Sequence, residues 1–424
     1  MRRKNLILVV FLVVFADIFY GGAIMAISEP QPVKTKYPAS VAPAGAAAND
    51  PASQKLASKQ TVFWNNYQDK FLCHLPNGII VVDKYNGILG EGGAAVSEGM
   101  GHAMIFAAER GDWKTFDGLR SGLKAYFTNV NGLNKWVIRP DGTYPANDEK
   151  LNKLNGLASA SETEQNVAFA LLVAYEKTKN TVYKKEALKL LADIWASEVV
   201  SFQGRTLLLP ADITDNKYFP VYKENGNLVS LSWNPAYFSP MLYKKFARYD
   251  NLHSWRKLTN DGYSLMVQML RETSKDPHAF GIEGINPMTN WIRLKAANNG
   301  ELKLESVYPN PGDPYSTQYS NEWDTIRIPI YVGWDNKDKR SVEFLRIFYA
   351  ATSIKSPEDV TINGATGKGI KSDMATAAYA AGLKCIGRNV SNFTRRIEIG
   401  KTDLYYQESI TYHAWLLLNG RTPK

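Results

Sequence analysis

Apolar positions recur at helical spacing along most of the chain. Phe116, Leu119, Leu123, Tyr126 and Phe127 share one face, as do Ala168, Leu171, Leu172 and Tyr175, and then Ala187, Leu190, Leu191 and Ile194. Lys179 and Asn180 mark the turn between the second and third of these faces. Further helices are predicted through Leu258, Leu265, Met266 and Met269, through Val342, Leu345 and Tyr349, and over 374–383 and 404–418. Phe63, Trp64 and Tyr67 open the globular part with an amphipathic helix near Thr61. Strand signals are few, at 79–82, 206–209 and 291–294. Helices arriving in consecutive pairs predict an all-α fold of stacked helical hairpins, closing into a toroid or running on as a solenoid. No fixed sequence period is present, which weighs against a regular solenoid. Two long connections, at about 130–160 and 296–322, are rich in Gly, Pro, Asn and aromatics. Loops of that length are usually functional, and these are expected to build one face of the domain.

The pattern breaks at the N-terminus. Arg2-Arg3-Lys4 precedes an apolar run from Leu6 to Ala16 and a further apolar stretch to Ile27. Residues 1–27 therefore read as a signal peptide or an N-terminal membrane anchor, and both predict an exported protein. Residues 28–60, rich in Pro and Ala, read as a linker, with the globular domain over 61–424.

Composition changes this picture in three ways. With 424 residues, 45% hydrophobic and 12% aromatic, the chain can bury a large core, and its ten tryptophans serve that core or stack on sugar rings. The net charge of +9 comes with no Lys/Arg run beyond 2–4, so no nucleic-acid partner is expected. Cys73 and Cys385 are too few for a disulfide framework, and one bridge between them stays open. The five histidines show no metal-ligand spacing, so neither a metal site nor a cofactor is expected, and a monomer is the expected state.

The candidate chemistry is acidic. Glu98 sits in Val96-Ser97-Glu98-Gly99-Met100-Gly101 at the mouth of an apolar helix. It reads either as a cap or as a general acid approached closely across its glycines. Ser161 and Glu164 form a capping-box pattern, which leaves Glu162 with no evident structural task. Asp324 and Arg327, three apart, read as a helical ion pair or as a base held ionised and aimed. An acid on an apolar helix mouth and a carboxylate beside an arginine would have their pKa values pushed apart, as an acid–base pair requires.

Taken together these stretches resemble glycoside hydrolase family 8, in the family's order from about Phe63 to Leu418. Ser97-Glu98-Gly99-Met100-Gly101-His102-Ala103-Met104 resembles its S-E-G-x-G/S-Y-G-M motif. Phe116-Asp117-Gly118-Leu119 and Leu133-Asn134-Lys135-Trp136 resemble its next helix and tryptophan-bearing loop. Ala160-Ser161-Glu162-Thr163-Glu164 takes the place of A-T-D-A-D, and Trp233-Asn234-Pro235-Ala236-Tyr237-Phe238 that of N-P-S-Y-F. Asp324-Thr325-Ile326-Arg327-Ile328-Pro329 resembles D-A-x-R-x-P, and Tyr405-Tyr406-Gln407-Glu408-Ser409 the closing Y-Y-x-D-S-L. The resemblance implies an (α/α)6 barrel, a cleft across one end and an inverting, metal-free mechanism. It implies Glu98 as general acid and Asp324 as general base, their carboxyls about 6.5–9.5 Å apart. Arg327 would orient Asp324, Tyr237 would stand near the water or the base, Glu162 would bind the central sugar and Trp136 would stack on substrate. Core packing is the competing reading for Trp136 and Tyr237. Four positions depart from the family pattern: Glu162 and Glu164 replace aspartates, and His102 and Trp323 replace tyrosines.

The implied substrate is a β-1,4-linked polysaccharide, cellulose or β-glucan first, with xylan and chitosan open. Two other readings compete. One is a glycan-binding protein of an exopolysaccharide synthesis or export system, weakly active or inactive. The other is a polysaccharide lyase on a related toroid.

Overall fold

Small and apolar residues on every side of a helix force it inward, and this separates two rings of helices. A computed structural model describes residues 51–84, 94–138, 158–212, 221–275, 292–297, 301–306, 324–352, 356–357, 360–363 and 369–423. They all fall within one unit, Ser40–Lys424. Twelve helices lie among the described residues, and they alternate between an outer and an inner ring. The pairs, outer then inner, are α1 (Pro51–Phe71) and α2 (Ser97–Arg110), α3 (Trp113–Gly122) and α4 (Ser161–Thr178), and α5 (Thr181–Ser197) and α6 (Pro240–Tyr249). They continue with α7 (Trp255–Lys275) and α8 (Ile328–Trp334), α9 (Lys339–Ala351) and α10 (Asp373–Cys385), and α11 (Ser391–Arg396) and α12 (Tyr405–Leu418). Each inner helix packs on the next, α2 on α4, α4 on α6, α6 on α8, α8 on α10, α10 on α12 and α12 back on α2. The ring is closed, and the fold is an (α/α)6 barrel.

The residues explain the sorting. In α4 burial runs unbroken from Ser161 to Ala174, and every residue of α8 is buried. α10 approaches its neighbours closely through Ala375, Ala377, Ala378, Ala380, Ala381 and Gly382. The outer α5 buries a single stripe, Tyr183, Ala187, Leu190, Leu191 and Ile194, and keeps Lys185 and Lys189 in solvent. Side-chain caps start the outer helices α3, α5 and α9, where Asp112, Asn180 and Asp338 accept from Thr115, Val182 and Arg340 N–H groups.

Short strands tie helix ends together. β1 (Leu72–His74), β2 (Ile80–Lys84), β3 (Ala94–Val96) and β4 (Val137–Ile138) form an antiparallel sheet in that order, with Val96 paired to Val137 just before α2. β5 (Val199–Phe202) and β6 (Arg205–Leu208) form a hairpin. β7 (Tyr222–Glu224), β8 (Asn227–Trp233), β9 (Ile292–Ala296) and β10 (Leu302–Ser306) form a second four-stranded sheet. β11 (Thr361–Asn363) pairs with β12 (Gly369–Lys371).

Several expectations shift. α1 begins at Pro51, inside the stretch read as linker, and its Gln60 donates to Tyr412 Oη at 3.2 Å. The 296–322 connection carries β10, and the 130–160 connection carries β4; most of both lies outside the described residues, as does the segment 1–27. On α9 the buried face is Phe344, Leu345 and Phe348, and Val342 and Tyr349 are only half-buried. Among the described residues no helix is long and apolar enough to cross a membrane. Cys73 and Cys385 are free thiols.

Candidate active site

The starts of five inner helices carry the acidic and aromatic residues that meet at one point. Glu98 is the second residue of α2 and Glu162 the second of α4. Tyr237 closes a 3-10 turn, Pro235–Tyr237, just before α6. Asp324 precedes the 3-10 turn Thr325–Arg327 that runs into α8, Arg327 closes that turn, and Tyr405 opens α12. Helix N-termini present unpaired N–H groups and a partial positive charge, a favourable end at which to gather carboxylates.

Arg327 is the hub. It is fully buried, and its Nη1 donates to Glu98 Oε1 at 2.6 Å while also contacting Glu162 Oε2. Its Nη2 donates to Asp324 Oδ1 at 2.8 Å. The rings of Tyr237 and Tyr406 pack on the guanidinium, with centroids 5.2 and 5.5 Å from its central carbon. The guanidinium is planar and always charged, so it fixes three carboxyls in one arrangement. Glu98 and Asp324 keep 16% and 23% of their side chains exposed, against 7% for Glu162, so the outer two face the solvent side.

The two outer carboxyls differ in what else they touch. Glu98 Oε2 accepts from Tyr405 Oη at 2.7 Å, and a phenol can accept a proton's hydrogen bond as readily as give one. Asp324 Oδ2 accepts from Asn234 Nδ2 at 3.1 Å. The Asn234 amide is locked in that sense, because its Oδ1 accepts from Ala236 N–H at 2.9 Å. Both partners of Asp324, an amide NH2 and a guanidinium, can only donate. Arg327 also donates to Glu98, so the two carboxyls differ in one partner: Asn234 can only donate to Asp324, whereas the Tyr405 hydroxyl can donate to Glu98 or accept from it.

Arg327 does not belong to Asp324 alone, and this corrects the expected separation of charges. Burial raises the Asp324 carboxyl above its ordinary value and Arg327 only partly offsets it; Glu98 adds to the rise and Asn234 opposes it. Burial pushes Glu162 well up, against the pull of Arg327. Glu162 is the most buried of the three carboxyls and contacts the same cation.

Other readings are corrected too. Glu98 caps nothing, since Val96 is the N-cap of α2 without a side-chain bond. Gly99 and Gly101 make room for protein rather than for a ligand. A Cβ on Gly99 would stand 2.7 Å from Val82 Cγ1, and one on Gly101 2.9 Å from Asn166 Cβ. Ser161 and Glu164 form no capping box, because Glu164 accepts from Asn134 instead. His102 lies one turn below Glu98 with its Nδ1 3.1 Å from His413 Nε2, and burial lowers it to about 3, so it is neutral. Trp136 stands beside the cluster through its backbone, its carbonyl accepting from Ser97 N–H at 3.0 Å, and its side chain is half-buried. Tyr405, Tyr406 and Asn234 lie within the motifs that resemble the family, with no role expected of them there. An aromatic pair opening an inner helix and an Asn before a Pro-led turn were the available signals.

The model for glycosyl hydrolases family 8 matches residues 44–419. The endoglucanase of Cellulomonas uda is 26% identical over 272 residues, 64% of this chain and 62% of that protein. Endoglucanase A of Acetivibrio thermocellus is 25% identical over 275 residues, 63% of this chain and 49% of its own length. The matched region thus spans about half to three fifths of these relatives. In structure, endoglucanase Cel10 of Klebsiella pneumoniae, a family 8 glycosyl hydrolase, superposes with a TM-score of 0.60 at 23% identity, covering 85% of this chain and 99% of that one.

Proposed function

The chain belongs to glycoside hydrolase family 8, and from that membership we propose that it is an inverting, endo-acting hydrolase of a β-1,4-linked glucan. Glu98 donates its proton to the glycosidic oxygen as the bond to the anomeric carbon breaks. Water attacks that carbon from the opposite ring face, and Asp324 accepts the water proton, which leaves a sugar end of inverted configuration. The observation that carries the assignment is the difference in partners. Both accept from Arg327, but the other partner of Asp324 is the obligate donor Asn234, and that of Glu98 is the Tyr405 hydroxyl, which can also accept. A base raised toward the working pH is a stronger base while still ionised, which favours Asp324 in that role.

Arg327 positions both carboxyls, with Tyr237 and Tyr406 against its guanidinium. Glu162, buried and held against Arg327, hydrogen-bonds a hydroxyl of the central sugar, and Trp136 stacks on substrate. The named relatives are endoglucanases, which favours a β-glucan over xylan or chitosan. The basic and apolar start of the chain supports export, by cleavage or by anchoring, and the enzyme acts as a monomer on polymer outside the cytoplasm.

Reducing-end release from soluble β-glucans, xylan and chitosan tests this reading. Wild type releases ends fastest from a β-glucan, and Glu98→Gln lowers turnover by about 10²–10⁴-fold. Glycan binding without release by either protein would favour the binding-protein reading; release with ultraviolet-absorbing unsaturated ends would favour a lyase.

A further inference from the structure

Glu164, two residues beyond Glu162, belongs to a second group of acids. Glu164 and Glu198, the residue after α5, are both fully buried, and Asp212, beyond β6, lies close enough to act on both by charge. Among the described residues none of the three has an ion-pair partner, and no group of acids, histidines or cysteines is arranged to hold a metal. Their oxygens accept from backbone and neutral side chains instead. Asn134 N–H and Nδ2 reach Glu164 Oε1 at 2.9 and 3.3 Å. Ser159 Oγ donates to Glu198 Oε1 at 2.6 Å, and Ser159 N–H to Asp212 Oδ1 at 2.7 Å. Asn131 Nδ2 donates to Asp212 Oδ2 at 2.6 Å. Glu164 Oε2 and Glu198 Oε2 are buried with no hydrogen bond.

These bonds hold two chain segments that lead to the active site. Asn131 and Asn134 lie on the segment that carries Trp136, and Trp136 N–H donates to Ala158 O at 2.9 Å, next to Ser159. Trp136 O accepts from Ser97 N–H, the residue before Glu98, and Val137 pairs with Val96. We propose that Glu164, Glu198 and Asp212 form a positioning centre that, through Asn134 and Ser159, sets the place of Trp136 and of the helix end bearing Glu98. None of the three touches the ion cluster around Arg327.

A buried carboxylate without a cation is costly, and such a group takes up a proton instead. Burial raises Glu164 to about 8 and Glu198 well above its ordinary value. The groups facing Glu164 are Asn134 from the Trp136 segment, Asp212 from beyond β6 and Glu198 from the end of α5, the last two both acids. The folded state binds these protons more tightly than the unfolded chain. Stability is therefore full below the ordinary value of 4.5 and falls as pH rises toward about 8, where Glu164 ionises in the folded state too. Above that pH the centre loosens its hold on Asn134 and Ser159.

The role in catalysis rests on the hydrolase reading; the behaviour of the centre does not. Glu164→Gln keeps the shape and the neutral form. Without substrate, its melting midpoint should match wild type at pH 5 and exceed it by about 2–4 °C at pH 8. With β-glucan, the wild-type kcat/KM should fall more steeply toward pH 9 than that of the variant, whose alkaline limb should reflect the acid–base pair alone. If Glu164→Gln fails to fold, Glu198→Gln carries the same expectation. Parallel melting curves across pH 5–9, or equal damage at both ends, would overturn the proposal. If wild type cleaves no glycan, the melting comparison still decides it, so the two failures are distinguishable.

Discussion

Glu162 and Glu164 stand two residues apart in the first turn of α4, and their surroundings are opposite. Two residues along a helix turn the side chain by about 200°, so one acid points toward the barrel mouth and the other toward the wall. Glu162 meets Arg327, whose guanidinium also holds Glu98 and Asp324. Glu164 meets Asn134 and two further acids, with no cation. Both are pushed toward the neutral form by burial, yet for different uses. Around Arg327 a fixed positive charge gathers two partly exposed carboxyls and a buried one. Around Glu164 the proton itself takes the place of the cation, and the result is a strut rather than a reactive group.

Removing Arg327 should break the first arrangement outright. Arg327→Met leaves three acids facing one another and should cost on the order of 3–5 kcal/mol at pH 7, since an uncompensated buried charge is expensive. The loss should shrink toward pH 5, because the raised carboxyls Glu162 and Asp324 then take up protons; urea unfolding at the two pH values measures both. Glu164→Gln is the matching change in the second arrangement, and it should stabilise at pH 8 where Arg327→Met destabilises. A smaller change sharpens the contrast within the active site. Asn234 holds the Asp324 carboxyl down, so Asn234→Ala should raise it further. Because the base must be ionised, the acid limb of kcat/KM should move up by about half a unit to one unit, with the alkaline limb unmoved.

Much of this was legible in the chain itself. The amphipathic outer helices α5 and α7 announce themselves because only one face is apolar. Helix α8 does not: it is seven residues long and buried on every side, so it has no period to read, and it opens beside a proline. The residues of the ion cluster were visible as acids at helix starts, and their order along the chain resembled one family. What could not be read was their sharing of a single guanidinium, since Glu98 and Arg327 are brought together by ring closure across 229 residues. Glu164 was misread for the complementary reason. A Ser-x-x-Glu pattern fits a capping box locally, but Asn134, thirty residues upstream, offers its N–H and amide to that carboxyl. The glycines beside Glu98 also fitted two stories, and packing against Val82 and Asn166 decides for the protein interior.

The direct test of the acid–base assignment is the configuration of the sugar end that hydrolysis first produces. Proton NMR of a β-1,4-glucan oligosaccharide, followed from the first seconds of reaction, distinguishes the anomers before mutarotation mixes them. With Glu98 as acid and Asp324 activating water from the opposite face, the α-anomer appears first and the β-anomer grows in later. Initial appearance of the β-anomer would contradict the account.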